Sequence, residues 1–289
     1  MNPSTAAGVL PGHRPIHSLQ AIDSAGKQWA TTRRAAKSPD TIAASCSARR
    51  NGTRLLSWEV EKFGRDSFGD PDAVALYGMR PAEWYGRGVR ILARTTLEAV
   101  RDPLGNCIGH DVARIAVTTS AGSTLGVVDP FAGSGNALYS ILRHLPGAQG
   151  IGFEFEPAIL DMTMRNLALL DAPIRLFNGD FRALLREHRF PPGQRIVAFL
   201  APPWADALNA DTGLNLGLTK PPVGEIIDAF ERVYADSPLL YVIEVHERLV
   251  PEPLAALRER FEWSEMSIYD LAGPTGRHGV LLGTRRWPM

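Results

Sequence analysis

Two cysteines in 289 residues, Cys46 and Cys107, are too few for a disulfide framework or a thiolate metal site. No metal is therefore expected, and a reducing cytoplasm is the compartment that such sparing use of cysteine suits. No run of residues approaches the roughly 18 unbroken apolar positions that a membrane helix requires, so no membrane partner is expected. Net charge is also missing, since 31 basic residues balance 31 acidic ones. The balance hides an uneven distribution. Residues 1–57 hold 8 Lys or Arg against 2 Asp or Glu, which leaves 23 basic and 29 acidic residues for the rest. A nucleic-acid binder usually carries its basic footprint on the folded body, whereas here the excess is confined to the head.

What is present falls into three stretches. Residues 1–57 are rich in Ala, Ser, Thr, Arg and Pro and show no sustained apolar period, which predicts a disordered basic tail. An Arg- and Ser-rich, acid-poor start is also how an organellar address reads, but no apolar core of a secretory signal is there. Residues 58–123 read as a helical subdomain or lid. Pro81, followed by A-E-W-Y-G-R-G-V-R-I-L-A-R-T-T-L-E-A-V, predicts a helix opened by proline at its first position. Phe63, Phe68, Tyr77, Trp84 and Tyr85 lie among the glycines at 64, 69, 78, 86 and 88, and predict a layer packed beside, or closing over, something.

From residue 124 to 289 the pattern becomes regular. Apolar strand-like runs at 125–131, 149–155, 174–179, 195–200 and 239–245 are separated by helix-period segments at 136–144, 157–170, 182–189 and 224–236, with another at 251–261. Two further strand candidates, 264–270 and 278–285, have no convincing helix between them. Strands alternating with helices imply parallel βαβ units and an open, doubly wound α/β sheet, here with an antiparallel hairpin at its edge.

The strongest motif is V-V-D-P-F-A-G-S-G-N, residues 127–136. A strand ends in an acid, and Gly133 and Gly135 open the helix that follows. Two glycines let backbone approach a ligand closely, and a helix N-terminus offers free N–H groups to an anionic group. The second strand ends at Glu154, about 25 residues after Asp129. That is near the spacing at which nucleotide-binding folds place a carboxylate on a ribose. Its two oxygens suit two hydroxyls. Glu156, just before Pro157, reads as an acid at a helix N-terminus.

D-P-F-A-G-S-G-N closely resembles motif I of the class I S-adenosylmethionine (SAM) dependent methyltransferases. It is nearest to the branch that methylates exocyclic amino groups of nucleobases. The resemblance covers about residues 124–289 and implies a Rossmann-like seven-stranded methyltransferase sheet with SAM as cofactor. It implies that the turn Gly133–Asn136 holds the methionine part of SAM, with Asp129 and Phe131 beside it, and that Glu154 takes the ribose. In F-N-G-D-F, residues 177–181, it implies that Asp180 accepts from the adenine amino group, while Asp180 also has the chemistry of a helix cap.

The fourth strand runs into Ala201-Pro202-Pro203-Trp204, two residues that cannot continue a strand and then a large ring. In the amino-methylating branch this place reads [D/N/S]-P-P-[Y/F/W] and is catalytic. The polar residue and the first proline's carbonyl accept two N–H bonds from the target amine, and the aromatic ring stacks on the substrate. The P-P-W ending is most similar to the cap-guanine type, which has serine first. Ala201 departs from both patterns by lacking the side-chain acceptor.

After Trp204 comes a long connection, residues 205–223, with Asp206, Asn209, Asp211, Asn215 and Lys220 as candidate substrate contacts. Glu244 and His246 end the fifth strand at the ligand-bearing edge. Together these features point to methyl transfer from SAM to a small molecule or to a nucleobase or RNA amine. Two alternatives stand beside it. One is attack on the aminobutyrate chain of SAM, by aminocarboxypropyl transfer or closure to azetidine-2-carboxylate with release of methylthioadenosine. The other is a SAM-fold scaffold without activity.

Overall fold

A computed structural model describes residues 53–117, 125–271 and 276–288. All of these belong to one unit, Ser38–Met289. Most of the expected basic tail, residues 1–52, lies outside the described residues. Its expected end at residue 57 is too late. Leu55 is buried, its N–H donates to the Ile91 carbonyl at 3.1 Å, and Arg54 bridges to Leu92.

The sheet has seven strands: β1 (Leu125–Asp129), β2 (Gln149–Glu154), β3 (Ile174–Asn178), β4 (Arg195–Leu200), β7 (Leu239–His246), β8 (Trp263–Ile268) and β9 (His278–Arg285). Two short strands, β5 (Leu208–Asn209) and β6 (Gly213–Leu214), form a separate antiparallel ribbon. The sheet order is β3-β2-β1-β4-β7-β9-β8, with β9 antiparallel to both neighbours and the other pairings parallel. This is a Rossmann-like α/β sheet closed by an antiparallel C-terminal hairpin. The chain leaves β1 in opposite directions on its two sides, so a crevice opens at the carboxyl ends of β1 and β4.

Central strands are apolar along most of their length, with charged residues only at or near their ends, because helices cover both faces of the sheet. Every residue of β1 and β4 is buried. On one face Val128, Ala198, Leu200, Tyr241 and Ile243 pack against α8 (Val223–Val233), which presents Val223, Ile226, Ile227 and Phe230. That i, i+3, i+4, i+7 spacing gives one apolar stripe, and burial of each large side chain contributes about 1.5–3 kcal/mol. On the other face Val127, Val197, Phe199 and Val242 meet α5 (Asn136–Arg143) and α4 (Asp102–Val117). Leu104, Ile108, Val112 and Ile115 form the inward stripe of α4.

The N-terminal layer departs from the single helix that Pro81 announces. Proline does open α2 (Pro81–Gly86), but α2 stops there and helix resumes only at α3 (Ala93–Glu98). Gly88, at φ 91°, turns the chain into an extended segment that pairs with residues 53–55. The apolar residues between, Val89, Ile91 and Leu92, are all buried, so their burial outweighs helical continuity. Together with α1 (Ser57–Phe68), this layer builds a third core around Trp84, Val60 and Leu76. It is tied to α6 (Pro157–Ala168) by the pair Arg90 N–H to Asn166 Oδ1, 3.0 Å, and Asn166 Nδ2 to the Arg90 carbonyl, 2.6 Å. The helix expected over 182–189 is shorter, α7 (Phe181–Leu184). The last helix is α9 (Pro251–Arg258).

Candidate functional site

Asp129, Glu154 and Asp180 lie at or just past the carboxyl ends of β1, β2 and β3, side by side in the sheet. The turn after β1 brings Gly133 to φ 50° and Gly135 to φ 71°, left-handed conformations that glycine adopts without steric cost. The turn is braced from behind. The Gly133 carbonyl accepts from the Thr163 hydroxyl at 2.6 Å, and the Ser134 carbonyl accepts from the Tyr77 hydroxyl at 2.5 Å. Gly135 N–H closes the turn on the Ala132 carbonyl at 2.6 Å.

Asp129 is 1% exposed, and its Oδ1 accepts from Phe131 N–H at 2.9 Å. Burial pushes its carboxyl up to about 7, and the nearby Glu154 and Glu244 push the same way against the Phe131 hydrogen bond. The Phe131 ring stands edge-on to Phe181, 5.4 Å between centroids.

Glu154 reaches back to the turn. One carboxylate oxygen accepts from Gly133 N–H at 2.9 Å and the other from Glu156 N–H at 2.8 Å. Burial raises this carboxyl too, opposed by those two N–H groups and by Arg94. Each oxygen keeps a lone pair beyond these bonds. Glu156 occupies the N-cap position of α6, with Arg94 3.8 Å away, and the next ring along, Phe155, is 69% exposed at the strand end. Asp180 caps α7 by accepting from Arg182 N–H at 2.9 Å, and the Arg182 guanidinium grips the same carboxylate and holds it below its usual range.

Asn136 is the member of the expected cofactor set whose side chain turns away. It is fully buried, accepts from Tyr77 N–H at 2.7 Å, and donates to the Val100 carbonyl at 2.7 Å and to Asp102 at 3.1 Å. Its side chain clamps the N-terminal layer, and only its backbone faces the turn.

At the end of β4, Pro202 is buried, Pro203 exposed and Trp204 half-buried, and Ala205 sits at φ 43°. A non-glycine residue there carries backbone strain of about 1–3 kcal/mol. The Pro203 carbonyl accepts from Lys220 N–H at 3.3 Å, whereas none of the described residues donates to the Pro202 carbonyl. Ala201 packs against the core cluster that holds Val197, Phe199 and Val242.

The Trp204 ring lies 4.9 Å from His278 at 32° and 6.2 Å from His246 at 87°. His278 Nδ1 is 2.9 Å from Glu244 Oε1, and His246 is buried at 1% exposure. The β7–β9 register sets His246 opposite His278. Glu244 and His246, two apart on one strand, share a face, as their spacing predicts. His278 is missing from the sequence reading, because only a cross-strand register reveals it.

The connection 205–223 is more ordered than its length suggests, with a 3₁₀ turn at Ala205–Ala207 and the β5–β6 ribbon. Asn209 accepts from Asp211 and Thr212 N–H groups, and Asn215 from Gly217 N–H, so both serve as turn makers. Lys220 Nζ lies 3.5 Å from Asp206. Among the described residues no group of three His, Cys, Asp or Glu suits a metal ion, and no helix is long and apolar enough to cross a membrane.

No protein-family profile and no curated protein matches this sequence. Solved structures do match in fold. One is described as a candidate class I S-adenosylmethionine-dependent methyltransferase of Listeria monocytogenes: 13% identity, 62% of this chain, TM-score 0.42. This chain spans only 59% of that protein's length. Another is the methyltransferase domain of METTL16 lacking its N-terminus, at 14% identity over 63% of this chain and 82% of that one, TM-score 0.46. A methyltransferase from Geobacter sulfurreducens shares 17% identity over 63% and 78%, TM-score 0.39. Likenesses of this depth concern the course of the sheet alone.

Proposed function

We propose that this chain is a SAM-dependent methyltransferase whose acceptor is a planar small molecule seated on Trp204. The observation that carries the reading is the junction at the glycine turn. A Gly133–Gly135 turn after an acid-ended strand is hydrogen-bonded directly to a carboxylate on the next strand, Glu154. The donor set fits SAM in charge, because Asp129, Glu154 and Glu244 gather acidic groups where an ammonium and a sulfonium would be held. Glu154 has lone pairs for ribose hydroxyls, and Asp180 stands at the next strand end for the adenine.

When bound, SAM supplies a methyl group on a positively charged sulfur. The protein's share is positioning, which in such a transfer is most of the catalysis. The Pro202 carbonyl supplies an acceptor for a donor N–H or O–H of the substrate, and the Trp204 ring supplies a stacking surface. Ala201 adds no second acceptor. Its loss of orientation costs about 1–3 kcal/mol on an amine, and lessens the advantage of a nucleobase amine over other acceptors. The excess of acidic residues outside the head, 29 against 23, favours a small molecule over RNA.

The test is product analysis with the full chain and SAM, alone and with nucleosides, phenols, aromatic amines and an RNA. S-adenosylhomocysteine that appears only with an acceptor supports the proposal. Its appearance only with an RNA would keep the chemistry and overturn the small-molecule acceptor. Methylthioadenosine from SAM alone would overturn methyl transfer in favour of attack on the aminobutyrate chain. Absence of SAM binding by calorimetry would overturn the cofactor assignment.

A further inference from the structure

We propose that Tyr77 and Thr163 are positioning residues for the methionine end of SAM, acting through the carbonyls of the glycine turn; this rests on the cofactor reading above. A turn with two left-handed glycines has more accessible conformations than one built of other residues, so something must hold it in one of them. Two hydroxyls do. Thr163, on α6 and 2% exposed, donates to the Gly133 carbonyl at 2.6 Å. Tyr77, from the N-terminal layer and 3% exposed, donates to the Ser134 carbonyl at 2.5 Å. Ala132 and Gly135 carbonyls are taken by Gly135 N–H, at 2.6 Å, and Tyr139 N–H, at 2.9 Å. All four carbonyls from 132 to 135 therefore accept a hydrogen bond from the protein itself.

Tyr77 is itself held by more than packing. It stands at φ 58°, a conformation a bulky residue adopts only when its surroundings impose it. Its N–H donates to Asn136 Oδ1 at 2.7 Å, and the next N–H, of Gly78, donates to Asp102 Oδ2 at 2.8 Å. Asn136 in turn donates to the other oxygen of Asp102 at 3.1 Å, and the Tyr77 ring meets Tyr139 edge-on at 5.6 Å. Burial raises the Tyr77 hydroxyl well above its ordinary range, so it stays a donor. The N-terminal layer is in this sense part of the cofactor site, reaching it from 57 residues away in sequence.

The test compares two ligands of the full chain by calorimetry. S-adenosylhomocysteine carries the amino-acid end, and methylthioadenosine lacks it. Tyr77→Phe and Thr163→Val each remove one hydroxyl, and each is expected to weaken S-adenosylhomocysteine about three- to tenfold while methylthioadenosine stays within about twofold. Thr163→Ser, which keeps the hydroxyl, should restore the wild-type ratio. A ratio of the two affinities unchanged from wild type in either folded variant overturns the role of that hydroxyl, since a merely structural part would weaken both ligands alike. If one variant fails to fold, the other decides. If the wild type binds methylthioadenosine and S-adenosylhomocysteine equally well, the inference fails while the cofactor fold stands. If it binds neither, the cofactor reading fails and takes this inference with it.

Discussion

Asp129 makes the sharpest prediction, because its charge state is poised where experiments are done. The carboxyl is 1% exposed, with burial as the main cause of its rise from the ordinary 3.8 to about 7. About half of the ligand-free molecules therefore carry it protonated at pH 7, about nine-tenths at pH 6 and about a tenth at pH 8. A cationic ligand beside it favours the ionised form, so binding should expel the proton. If only the ionised form serves SAM, the apparent Kd is the intrinsic one divided by the ionised fraction. Affinity should then be about fivefold weaker at pH 6 than at pH 7, and less than about twofold better at pH 8. Calorimetry in two buffers of different ionisation enthalpy should record proton release of about half a proton per SAM at pH 7.

The sign for stability runs the other way. A carboxyl raised in the fold favours folding while protonated, so its contribution is full below pH 3.8 and is lost as pH rises through 7. Asp129→Asn should thus raise the Tm of ligand-free protein at pH 8, while weakening SAM by about tenfold or more. A Kd flat from pH 6 to 8 without buffer dependence would refute the reasoning. So would a pH dependence that persists in Asp129→Asn.

Three further outcomes are expected. Glu154→Ala removes the acceptor for Gly133 and Glu156 N–H groups and should weaken SAM and methylthioadenosine alike, by about 10- to 100-fold in calorimetry. Trp204→Ala should leave the SAM Kd within about twofold and lower kcat/KM for a planar acceptor by about tenfold, read as S-adenosylhomocysteine release. Gly135→Ala forces a side chain onto φ 71° and within 3.1 Å of Thr163 and 3.2 Å of Leu167, and should cost about 1–3 kcal/mol in urea melts as well as SAM binding.

How much of this was legible beforehand varies with the range of the interaction. β4 spans 195–200 in both readings, since five apolar residues in a row, 196–200, bounded by turn chemistry admit few other outcomes. The strand-end acids Asp129 and Glu154 were legible for the same reason. The helix after Pro81 was not, because Gly86 and Gly88 offered a break whose use depended on burying Val89, Ile91 and Leu92 against a layer elsewhere. Asp180 carried two readings, and the cap is the one whose hydrogen bonds can be seen. Asn136 was legible as part of a motif, but not as a clamp, because its partners Tyr77, Val100 and Asp102 come from a different stretch of chain.

By itself, then, the sequence determined the succession of the seven sheet strands, the glycine turn and the acids that end the strands. Each of these follows from periodicity and turn chemistry within a dozen residues. Only the tertiary structure decided what stands behind and beside the site. It set Tyr77 under Ser134, Thr163 under Gly133, and His278 across from His246 and beside Trp204. Those neighbours depend on long-range register and on the docking of a separate layer, which packing settles and local pattern does not encode.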